Sequence, residues 1–137
     1  MGIIALNFMK INVEKKKGID GKVNINNDLV LKDVIERQLS GKNKQTIADF
    51  LFSFTVQYLT EEKIALASIL LEGEVVYVDE AAKIKEVMDG WKKNKTVQKE
   101  LLREIMNTAM MKCNVEGIVL SKEMNLPPPV GLPQIKE

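Results

Sequence analysis

The 137-residue sequence has no histidine and a single cysteine, Cys113. Without histidine, the side chain that exchanges protons near neutral pH unaided is missing. Ser–His–Asp and Cys–His arrangements and the H-E-x-x-H zinc motif are therefore excluded. One thiol can make neither an intramolecular disulfide nor a multi-thiolate zinc site. Neither charge sign dominates: 20 basic and 19 acidic residues leave a net charge of +1, without the basic excess of a nucleic-acid binder. Long apolar runs are lacking too. The opening Met1-Gly2-Ile3-Ile4-Ala5-Leu6 is too short for a signal peptide or a membrane span. Leu6 also stands where a myristoylation pattern needs Ser or Thr. The expectation is a cytoplasmic protein that is not an enzyme, carries no cofactor and contacts neither membrane nor nucleic acid.

What is present suffices for one core. The chain is 45% hydrophobic and 28% charged, and residues 1–137 read as a single domain. Leu6 to Val13 alternates imperfectly as a first strand, before a glycine turn at Gly18-Ile19-Asp20-Gly21. Residues 23–39 fit a long strand, although Leu31, Val34, Ile35 and Leu39 also fit a helical face with Asp28 as its cap. After the break at 40–44 comes the clearest signal. Phe50, Phe52, Phe54, Val56 and Tyr58 share one parity, with Asp49, Ser53, Thr55 and Gln57 on the other. A fourth strand, Ile64 to Val78, is apolar on both parities, so a neighbouring subunit or a helix of the same chain should cover its second face.

The period then becomes helical. Asp79 is placed to cap a helix carrying Ile84, Val87, Met88 and Trp91, and Thr96 to cap a second with Val97, Leu101, Ile105 and Ala109 on one ridge. Residues 115–126 follow neither period clearly. All four prolines fall between positions 127 and 133, which dictates an extended tail. The sum is an α+β domain: a four-stranded antiparallel β-sheet followed by two helices and an extended proline-rich C-terminal tail.

Several signals have a plain explanation beside a functional one. Trp91 with Lys92, Lys93 and Lys95 resembles a stacking-plus-phosphate patch, but a helix-end tryptophan beside a solvated basic loop explains it as well. Met106 and Met110 suit the core by spacing. Met111, off their ridge, suits an exposed position. The tail lacks a strict PxxP, and its Leu126, Leu132 and Ile135 are better read as packing onto the domain.

The order of these elements resembles the SecB chaperone family. The Phe50–Tyr58 strand followed by Ala65–Gly73 is similar to that family's paired central strands, with a glycine at the second strand's midpoint. The helix from about Val97 to Cys113 resembles its long second helix, and Asn125-Leu126-Pro127-Pro128-Pro129-Val130-Gly131-Leu132-Pro133 its closing tail. The resemblance implies a homo-oligomer, dimer or tetramer, that holds non-native polypeptides in apolar grooves without ATP. Other roles it leaves open are a dedicated adaptor or antitoxin-associated chaperone with one client, or a nucleic-acid-binding module. The charge near zero, the absence of an acidic metal-binding stretch after the tail, and the extra residues 115–124 depart from the family pattern. The polypeptide-binding positions expected are Leu6, Phe8, Leu51, Met111, Leu126, Leu132 and Ile135, which lie off the best-defined core stripes.

Overall fold

The computed structural model describes residues 2–16, 22–41 and 45–129. Four long strands come first: β1 (Gly2–Lys15), β2 (Asn24–Leu39), β3 (Gln45–Leu59) and β4 (Ala65–Val78). Two helices follow, α1 (Ala81–Asn94) and α2 (Lys99–Glu123). The sheet is antiparallel throughout, in the order β1-β4-β3-β2. Short connections join β2 to β3 and β3 to β4 as neighbours. β1 instead lies at the far edge, on the open side of β4.

The alternating face of β3 is the centre of the core. Phe50, Phe52, Phe54, Val56 and Tyr58 are all buried, joined from β4 by Ala67, Ile69, Leu71 and Val75. Residues opposite one another in register share a face, so these side chains form one apolar surface on the side where the helices pack. The helical alternative for 28–39 is not what forms. β2 pairs with β3 along its whole length, with one irregularity between Leu31 and Asp33. The two-sided apolarity of β4 also has a local outlet. Val76 and Val78 join Ile47 in a second small cluster with Ala5 and Leu39. There Asp49 is only 4% exposed and is held by the Arg37 guanidinium.

α1 buries Ile84, Met88 and Trp91 against the sheet. The Trp91 indole N–H donates to Asp33 at 3.0 Å, and the Lys95 ammonium lies 5.1 Å from the centre of the ring. The ring is thus enclosed and its polar edge engaged, which leaves the basic loop without a free stacking platform. Both expected caps are displaced by a residue or two. Glu80 opens α1, because the Asp79 carboxylate is occupied by the Tyr77 hydroxyl and the Glu80 N–H, each at 2.7 Å. Gln98 rather than Thr96 opens α2. Thr96 still belongs to the end of α1, where its N–H points at the Gly90 carbonyl next to Lys95 in the left-handed region.

α2 does not stop near Cys113. Its buried ridge runs Leu101, Ile105, Ala109, Cys113, Gly117, Ser121, every fourth residue to the end. The ridge narrows to small side chains as it goes, so its spacing persists while its hydrophobicity fades. The helix ends where Asn125 takes a φ of 53°. Leu126 N–H then returns to the Ser121 carbonyl at 2.8 Å and Asn125 N–H to Lys122 at 3.2 Å. This is a Schellman ending with asparagine in the left-handed position, and Pro127 enforces the stop.

Burial raises three acids in this core. Tyr58 and Tyr77 are pushed from 10.0 up to about 12, and the Cys113 thiol from 9.0 up to about 12. The folded state thus keeps protons that the unfolded chain has already released. Stability contributed by these groups is complete below about pH 9, falls as pH climbs through 10, and is gone above about 12. The urea midpoint should be level near neutrality and decline steeply across that alkaline window. A midpoint unchanged between pH 9 and 12 would show that the three groups ionise equally in both states.

Candidate polypeptide-binding surface

Past Asn107 the side of α2 turned from the sheet carries an apolar stripe beside the exposed Lys112 and Lys122. Met111, Val115 and Val119, spaced by four, are 66%, 58% and 48% exposed. A solvated helix normally carries polar residues there, so three large apolar side chains in one stripe ask for a covering surface. Beside the stripe runs β1, an edge strand with Ile4, Met9 and Ile11 also exposed. Helix and strand meet at an apolar cleft of about 350 Å3 lined by Leu6, Thr108, Met111, Lys112 and Val115. It is shallow and open to solvent, a surface on which an apolar side chain can rest rather than a closed pocket.

The expected binding residues fall in different places. Leu6 and Met111 come together in this cleft. Phe8 is half-buried, with its ring edge-on to Phe52 at 6.3 Å. Leu51 is half-buried on the opposite face of the sheet, in the row of Asn7 and Glu74, so within one copy it cannot line the Leu6 cleft. Leu126 is 6% exposed, the residue after the left-handed asparagine, and part of the core. Leu132 and Ile135 lie outside the described residues. Val115 and Val119 complete the stripe and were not among the expected positions. Their signal was the spacing of four from Met111, visible only once the helix is known to pass Asn114.

Among the described residues no three of His, Cys, Asp and Glu are grouped to hold a metal ion. The Cys113 thiol is buried and its raised pKa keeps it protonated, the reverse of a reactive cysteine. Among the described residues no helix is long and apolar enough to cross a membrane.

This architecture, four antiparallel strands backed by a short and a long helix, is the SecB-like α+β fold. A solved structure that shares it is a SecB-like chaperone of Mycobacterium tuberculosis in complex with a ChAD peptide from the HigA1 antitoxin. The two chains superpose with a TM-score of 0.57 over 98% of this chain and 90% of that one, at 10% sequence identity. The likeness is one of fold. No protein-family model matches the sequence, and no curated protein does.

Proposed function

We propose that this protein is a non-catalytic chaperone that binds unfolded or extended polypeptides on apolar surface, without ATP, as a homo-oligomer in the cytoplasm. The observation that carries the reading is the exposed Met111–Val115–Val119 stripe beside the Leu6 cleft and the β1 edge. Non-native chains expose apolar side chains, and each 100 Å2 covered is worth about 2.5 kcal/mol, whatever the sequence. The outer edge of β1, which pairs with no other strand among the described residues, offers main-chain pairing to an extended segment or to a second copy. Oligomers of this fold would cover part of the stripe and leave the rest as continuous grooves. The SecB-like architecture supports the same reading.

A second reading is a dedicated chaperone for one client, such as an antitoxin. What favours it is that the M. tuberculosis chaperone of this fold holds a peptide from an antitoxin. Light scattering from an aggregating model client, with the solution mass measured in parallel, tests the general reading. Suppression at stoichiometric ratios by a dimer or tetramer is the expected result. A monomer that leaves aggregation unchanged would rule it out. Suppression confined to one partner, with unrelated clients unprotected, would move the assignment to the dedicated chaperone.

A further inference from the structure

After α2 the chain does not leave the domain. Residues Met124–Pro129 form a strap across the helix-bearing face of the sheet, fixed by three bonds of one kind. The Lys15 ammonium donates to the Met124 carbonyl at 2.8 Å, the Tyr58 hydroxyl to the Pro127 carbonyl at 2.8 Å, and the Asn27 amide to the Pro129 carbonyl at 2.9 Å. The donors sit on β1, β3 and β2. Lys15 and Tyr58 both stand opposite Ala67, and Asn27 is opposite Val56, one step along the same face. The strap therefore runs across the strands, where no ladder groups are free, and side chains must supply the donors.

The apolar contacts complete a trough. Leu126 sinks into the core, and Pro129 lies against α2 at Gly117, where a Cβ would come within 3.2 Å of the proline ring. Apart from the helix-end bonds that the Met124, Asn125 and Leu126 N–H groups make to α2 carbonyls, every polar contact to the strap reads a main-chain carbonyl and none reads a side chain. Pro127, Pro128 and Pro129 present no N–H, so the trough needs no acceptors for them. A site that requires carbonyls, one leucine-sized anchor and an extended backbone accepts many sequences, which is what a binder of non-native chains needs.

We infer that residues 124–129 are a resident pseudo-ligand, filling a carbonyl-reading trough that an extended, leucine- and proline-bearing client segment takes over when the strap is displaced. Asn125, in the left-handed region, is the hinge. The inference rests on the proposed chaperone function and adds a second subsite, closed at rest, on the far side of α2 from the Leu6 cleft. Because the closed form competes with the client, apparent affinity is reduced by the fraction of time the strap is down.

The test uses the full chain and a labelled peptide with the sequence of residues 123–129. Leu126→Ala removes the anchor of the strap and leaves the donors in place. The peptide should bind this variant at least tenfold more tightly than the unaltered protein, read by fluorescence anisotropy. An unfolded client should then displace it. Adding Tyr58→Phe and Asn27→Ala should abolish the gain, which a strap serving only as a staple would not predict. Should Leu126→Ala fail to fold by circular dichroism, Pro129→Ala loosens the strap where it lies against Gly117 and leaves the trough intact. Equal peptide binding to both proteins, or a client that binds without displacing the peptide, overturns the inference and leaves the chaperone reading standing. Peptide rebinding in a protein that holds no client at all overturns both.

Discussion

Replacing Gly73 with alanine is expected to cost on the order of 4 kcal/mol, a large share of the stability of a domain of this size. A Cβ at this position would stand 2.4 Å from the Asn7 backbone oxygen and 2.9 Å from Cζ of Phe52. The first contact is with main chain, which no rotamer change relieves. The register explains the tightness. Gly73 is opposite Phe8 on one side and Phe52 on the other, and β1 slips register just beyond, between Phe8 and Lys10. The two rings close edge-to-face over the missing side chain, so the glycine is the floor on which they meet. A melting temperature lower by roughly 15 °C or more in circular dichroism is expected for a domain of this size. A loss under 3 °C would mean that β1 can pull away from β4 at little cost.

Val115→Asp should have the largest effect on binding with almost none on the fold. Val115 is 58% exposed at the centre of the α2 stripe and on the wall of the Leu6 cleft. Exposed substitutions of this kind usually change stability by no more than about 0.5 kcal/mol. A carboxylate inside a surface meant to be covered must be stripped of water, a penalty of several kcal/mol that an exposed i,i+3 pairing with Lys112, worth about 0.5 kcal/mol, offsets only in small part. Client affinity should fall at least a hundredfold, read by titration of a labelled unfolded polypeptide, while the melt stays in place. Arg103→Asp, on the exposed side of the same helix before the stripe begins, is the control. Undiminished binding by Val115→Asp would remove the stripe from the proposed surface.

These sites differ in how far they could be read from residues alone. The β3 face was plain, because five large side chains alternate without interruption between Phe50 and Tyr58. Residues 28–39 satisfied both periods, and what decided them was a tertiary fact, the ladder with β3. The far end of α2 was hidden by the small residues of its own ridge. Gly117 and Ser121 mark burial by lack of volume, where a pattern of hydrophobicity looks for its presence. With that stretch unassigned, Val115 and Val119 had no face to belong to, and Met111 stood alone. The place of β1 beside β4 was equally out of reach, since the spacing of strands along a chain does not fix their order in a sheet. Leu126 was legible in principle. Asparagine, leucine and proline in succession at a helix end spell a left-handed stop followed by an apolar residue turned inward.

The pairing of β1 with β4 also bears on how the protein is made. β1 is synthesised well before β4 and can find its partner only once β4 has been made, with Gly2 waiting for Val78 and Lys15 for Ala67. At about 5–20 residues per second, Ile4, Leu6, Phe8, Met9 and Ile11 spend several seconds unpaired during translation. For that interval the nascent chain is itself the kind of substrate it is proposed to hold.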